Sequence, residues 1–212
     1  MKFLGSLLFA VAITTISIVP AQAQNNADGS PWTISSLVPQ AVDFVNQFWA
    51  EEFDGMNLVY TPPTSINRYF GSTRTACGPT TIRTAFYCTV SHSIHYEYNF
   101  LNRALVNIGD FAAASVIAHE WGHAVQAQLG LFTATSVARE LQADCFTGAF
   151  GKWLDEAGNL DPGDFEEGRT LFEQLGDPDD TSPDSDEAHG TSAQRSESYE
   201  TGFTEGVSGC MA

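Results

Sequence analysis

The residue types and spacing of His119-Glu120-Trp121-Gly122-His123 suit it to hold a metal and activate water. Two histidines four apart on a helix project from one face, so both imidazoles can bind one ion at about 2.0–2.1 Å, the range zinc prefers. Glu120, one step round from His119, can reach a metal-bound water without easily becoming a ligand, which is the general-base position. Flanking Ala112, Val116, Ala118, Ala124 and Val125 would bury such a helix and dry the site. Taken alone, the pattern also fits two hydrogen-bonded core histidines on an apolar helix.

A second pair narrows the choice. Glu140 and Asp144 are again four apart, in a segment otherwise suited to burial by Leu141, Ala143, Cys145 and Phe146. Buried carboxylates need compensation. A cation supplies it if Glu140 is the third ligand and Asp144 accepts the outer N–H of His119, fixing its tautomer and raising its basicity. The alternative is a surface pairing of these carboxylates with Arg139 or Lys152. His92 and His95 read as structural residues of a strand.

The surrounding elements follow from periodicity. Val42, Val45, Phe48, Trp49 and Phe53 recur at helical spacing within 35–53. After Pro62-Pro63, the stretch 66–100 is rich in Thr, Tyr, Phe and Ile, with turn signals at Gly71 and Gly78-Pro79, and predicts a small sheet. Its clearest strand is 92–100, where His92, Ile94, Tyr96, Tyr98 and Phe100 alternate with Ser93, His95, Glu97 and Asn99 as on a half-exposed strand. Helices are predicted over 111–129, ended by Gly130, over 136–153, and over 164–175 behind Pro162-Gly163. The tail 177–190 reads as a loop, with a short helix between 192 and 199. The fold class is α+β, a small sheet packed on the helix of His119 and on a second helix carrying Glu140 and Asp144.

At 212 residues, 43% hydrophobic and 12% aromatic, the chain can bury one substantial core, which places a single domain at 32–212. Before it, 24–31 is polar and expected to be disordered. Residues 1–23 have Lys2, an apolar run over 3–19 and the small-x-small site Ala21-Gln22-Ala23, the pattern of a cleaved signal peptide. The expected destination is therefore secreted or periplasmic, an uncleaved N-terminal membrane anchor being the alternative. Cys77, Cys88, Cys145 and Cys210 are even in number without a Cys-x-x-Cys pair, which favours disulfides in an exported chain. Cys77 with Cys88 is the simplest pairing and leaves Cys145 with Cys210, a closure that stabilises by about 4 kcal/mol in the chain-entropy model.

The formal charge of −17 excludes nucleic acid and anionic membrane surfaces as partners. Acid is concentrated over 155–205, which reads as a solvated face. A sharper possibility is calcium at the 177–187 loop through Asp177, Asp179, Asp180, Asp184, Asp186 and Glu187, although the spacing is not that of an EF-hand.

His-Glu-x-x-His followed by Glu-x-x-x-Asp is the gluzincin arrangement. The wording from His119 to Gln128 and from Glu140 to Cys145 (Glu-Leu-Gln-Ala-Asp-Cys) closely resembles the bacterial neutral zinc metallopeptidases. The likeness extends to Phe86-Tyr87-Cys88, to Leu160-Asp161-Pro162-Gly163-Asp164, to His189-Gly190-Thr191-Ser192-Ala193-Gln194-Arg195 and to Cys210, nearly the whole chain after the leader. The resemblance implies a zincin-like metallopeptidase domain, zinc as cofactor and a peptide or protein substrate. The chain would then be an exported zinc-dependent endopeptidase in which Glu120 takes the water's proton and passes it to the leaving amine. It implies further that the strand around Ile94 to Tyr98 is an edge receiving an extended peptide, and that His189 stabilises the oxyanion. The residues alone leave His189 open to being an exposed loop histidine. Ala188 and Ser196-Glu197-Ser198 depart from the family's wording. A zinc-stabilised extracellular binding module without turnover is the competing reading, and Glu120 speaks against it, because a purely structural site needs no base.

Overall fold

Thr33 opens the first helix, α1 (Ile34–Gly55): its hydroxyl accepts the Ser36 N–H and the Ser36 hydroxyl accepts the Thr33 N–H. The helical stripe buries Leu37, Ala41, Val45, Phe48, Trp49 and Phe53. In the computed structural model, which describes residues 30–81, 84–131, 135–183, 185 and 188–211, that stripe packs on the helix that carries Phe146 and Phe150, Trp49 edge-on to Phe146 at 5.1 Å and Phe48 against Phe150 at 5.8 Å. The segment 1–23 expected to be a signal peptide, residues 24–29 of the stretch expected to be disordered, and Asp184, Asp186 and Glu187 of the loop expected to bind calcium lie outside the described residues. No helix among the described residues is long and apolar enough to cross a membrane.

Five short strands follow: β1 (Ser65–Tyr69), β2 (Thr73–Thr75), β3 (Gly78–Thr80), β4 (Ala85–Cys88) and β5 (Ser93–Glu97). β2 and β3 form a separate hairpin, while the main sheet has the order β1-β5-β4, β1 parallel and β4 antiparallel to β5. This corrects two expectations. β5 is the central strand, so the edge expected at Ile94 to Tyr98 lies instead on β4 and β1. It is also buried at all five positions rather than half exposed. Its polar residues tolerate burial because each has an internal partner: His95 Nε2 is 2.9 Å from Ser93 Oγ with the ring stacked on Phe86, and the Glu97 carboxylate accepts the Phe100 and Gly71 N–H groups. That last contact also ends the strand. Glu97 is the N-cap of α2 (Tyr98–Asn107), which takes up Tyr98 and Phe100 that alternation alone had placed in the strand. His92 stands in the preceding turn at φ 48°, its ring between Tyr87 Oη at 2.7 Å and Thr61 O at 3.0 Å.

The remaining helices are α3 (Asp110–Leu129), α4 (Ser136–Glu156), α5 (Asp164–Gln174) and α6 (Ser192–Glu205), followed by a 3-10 turn at Val207–Met211. α3 is buried nearly all round, as a central helix must be. α6 is a full helix rather than a short one, opened by a capping box between Thr191 and Gln194. The small polar residues near its start fit its approach to α4, since the Ser198 hydroxyl donates to Leu141 O and a Cβ on Gly202 would fall 1.8 Å from Cys145 O. Cys77–Cys88 and Cys145–Cys210 are bonded, the pairings expected from the spacing, and the second ties the chain's end to α4.

Candidate metal centre

α3 and α4 bring their pairs together because their backbones come close at one point, where a Cβ on Gly122 would stand 3.2 Å from Ala143 Cα. Across that contact, His119 Nε2 lies 3.2 Å from Glu140 Oε2 and His123 Nε2 lies 3.4 Å from Glu140 Oε1. The two rings are 4.8 Å apart, nearly perpendicular. His119, His123 and Glu140 thus offer two nitrogens and a carboxylate oxygen within 4.8 Å of one another, a group that can hold a metal ion. The donor set itself is a test of fit, and two imidazoles with one carboxylate form the three-ligand set of open catalytic zinc sites.

Each of the two histidines has a second partner. His119 Nδ1 lies 2.8 Å from Asp144 Oδ1, a close ionic contact rather than a well-aligned hydrogen bond. His123 Nδ1 meets Gln126 Oε1 at 2.8 Å, and the Gln126 amide donates in turn to Arg139 O and Gln142 Oε1. Both rings therefore present Nε2 to the centre. Asp144, wholly buried, is gripped from its other side by Arg195 of α6, whose Nε and Nη2 donate to Oδ2 and Oδ1 at 2.8 Å each. Arg195 is itself buried, lies over Phe172 and donates to Leu175 O. Gln126 and Arg195 were not singled out from the sequence. An amide one turn past a histidine looks like any surface glutamine, and an arginine 51 residues from its partner looks like a counter-charge in an acidic tail.

Glu120 is buried on the same side and accepts the Tyr87 N–H of β4. That N–H is available because the Glu97 N–H donates to Thr84 O, so the alternation of an antiparallel ladder turns Tyr87 away from β5. Burial pushes the Glu120 carboxyl above its usual range, and the neighbouring histidines partly offset this. His189 lies apart from the three-residue group. It is half exposed on the 177–191 loop, its N–H donates to Asp177, and Nδ1 is 3.7 Å from Asp177 Oδ1.

Burial acts to lower the His119 pKa, but its contacts with Asp144 and Glu140 outweigh that and lift it to about 10, while the two histidines hold Glu140 well below the usual carboxylate range against the effect of burial. Without a metal the centre therefore carries a proton on His119 at neutral pH. A cation must expel it, so affinity should rise by about tenfold per pH unit between pH 6 and 9. Calorimetry at pH 7 in buffers of different ionisation enthalpy should show about one proton released per zinc ion. Heats that are identical in all buffers would contradict this.

The family model described as "Putative neutral zinc metallopeptidase" matches residues 6–211. The chain is similar to "Uncharacterized protein YpfJ" of Escherichia coli (strain K12), 35% identical over 184 residues, 74% of this chain and 63% of that protein. It is also similar to "Uncharacterized protein Rv2575" of Mycobacterium tuberculosis (strain ATCC 25618 / H37Rv), 28% identical over 145 residues, 61% of this chain and 47% of that protein. The chain thus spans less than two thirds of the length of these relatives. No solved structure gives a significant match. With a match that runs over nearly its entire length and includes the three-residue metal group, the chain belongs to the neutral zinc metallopeptidase family.

Proposed function

We propose that the protein is an exported zinc-dependent endopeptidase of zincin type, with zinc held by His119, His123 and Glu140. The observation that carries this reading is the buried Glu120 carboxylate, next to His119 on α3 and within electrostatic reach of all three donors, a group that a purely structural metal site does not need. When bound, zinc supplies Lewis acidity toward a peptide carbonyl and toward water. Glu120 receives the water's proton and delivers it to the leaving amine, a task that its raised pKa favours. Asp144 and Gln126 hold the two imidazoles in register.

β4 is a terminal strand of the main sheet, and its outward Tyr87 N–H already meets Glu120. An extended peptide pairing with that edge would lie along the catalytic carboxylate, which moves the strand-addition role from β5 to β4. His189 is assigned to the oxyanion, on a loop that Asp177 pins through the His189 and Gly190 N–H groups. The test is cleavage of a peptide library by the zinc-loaded chain. Cuts should disappear on chelation and return when zinc is restored. A zinc-replete protein that leaves every peptide intact would favour the binding module without turnover.

A further inference from the structure

A second carboxylate constellation lies at the N-terminus of α3, roughly 13 Å along the helix from His119. Asp110 of α3 and Asp164 and Glu167 of α5 each offer an oxygen, and these atoms lie within 4.8 Å of one another. This is not surface acid, because Asp164 is 6% and Glu167 3% exposed. Burial, then the neighbouring carboxylates, push Glu167 up to about 8; burial and, after it, Asp110 push Asp164 up to about 6. Backbone N–H groups take up part of the charge, Phe111 donating to Glu167 at 3.0 Å and Asp161 to Asp164 at 2.8 Å. The strongest influences on the two among the described residues are burial, neighbouring carboxylates and backbone N–H groups.

A second observation points into the same place. The Tyr199 hydroxyl, on a side chain with 0% exposure, has no hydrogen-bond partner. It is turned toward α5, where a Cβ on Gly168 would stand 2.5 Å from it. Gly168 directly follows Glu167 and is one turn on from Asp164, and both carboxylates, with Glu166, add to the effect of burial on the phenol. A buried donor left without a partner destabilises the fold unless something bridges it. A hydrated ion among the carboxylates would do so. Gly109 leaves the room, since a Cβ there would fall 1.9 Å from Glu167 Cδ.

We propose that Asp110, Asp164 and Glu167 form a second metal site, for a hard divalent cation of the calcium class, with Tyr199 hydrogen-bonded to a water of its shell. All donors are oxygen, which selects against zinc and for a hard ion. The ion would join the first turns of α5 and α3, and so brace the helix that carries His119 and Glu120.

The test uses the full chain, kept zinc-saturated, stripped of calcium and titrated with calcium chloride to about 10 mM, beyond the range of weak extracellular sites. Calorimetry should show saturable binding and thermal melting a calcium-dependent rise in Tm. Asp164→Asn, which keeps an oxygen for the Asp161 N–H, and Asp110→Asn should each weaken calcium by about tenfold or more, as loss of a charged ligand does. Asp110→Asn decides the matter if the Asp164 variant does not fold. The proposal is overturned if the parent gives neither heat nor a melting shift. It is equally overturned if both variants bind calcium as the parent does, since the ion would then sit elsewhere.

Discussion

Glu120→Gln keeps zinc and loses hydrolysis. The substitution preserves the size of the side chain and an oxygen that can accept the Tyr87 N–H, so the fold and the three donors are expected to persist. It removes the proton acceptor, a role worth about 10²–10⁴-fold in rate. Zinc content and turnover should therefore separate: parental metal stoichiometry, with kcat/KM lower by about two to four orders of magnitude. A Gln variant as active as the parent on a casein-type substrate would remove Glu120 from the mechanism and leave the zinc group without its base.

The second large effect concerns stability. Arg195→Met leaves the Asp144 carboxylate, 0% exposed, without its two-pronged partner. Breaking a buried pair from one side costs about 3–5 kcal/mol, and Asp144 would keep only its contact with His119 Nδ1. Asp144→Asn combined with Arg195→Met removes both charges and should recover a large part of that loss. The two substitutions are therefore strongly non-additive in urea unfolding. Asp144→Asn alone should also weaken zinc by about 10–100-fold, the usual effect of removing a histidine's outer partner. Additive losses in the double variant would mean that the two groups do not act as one unit.

These effects show which parts of the site can be read along the chain. His119, His123, Glu140 and Asp144 were legible because each pair is four apart on its own helix, and an apolar setting made the second pair demand a cation. The close approach that brings the pairs together is carried by Gly122 against Ala143, and glycine inside a helix announces nothing by itself. Arg195 and the Asp110–Asp164–Glu167 cluster depend on contacts across 51 and 56 residues, such as that of Phe111 with Glu167, which no local pattern reveals. β5 departs from its alternating pattern for a different reason. Alternation of Ile94 and Tyr96 with His95 and Glu97 signals one wet face only when the polar residues lack internal partners. Here Ser93 and the N-terminus of α2 provide them.

The most direct measurement is the zinc content of the purified full chain after dialysis against dilute zinc, together with that of the His123→Ala variant. About one firmly held ion per parent chain and none in the variant is the result expected of a three-ligand centre. A parent chain that retains no zinc, or a variant that retains as much as the parent, would contradict a zinc centre built from His119, His123 and Glu140.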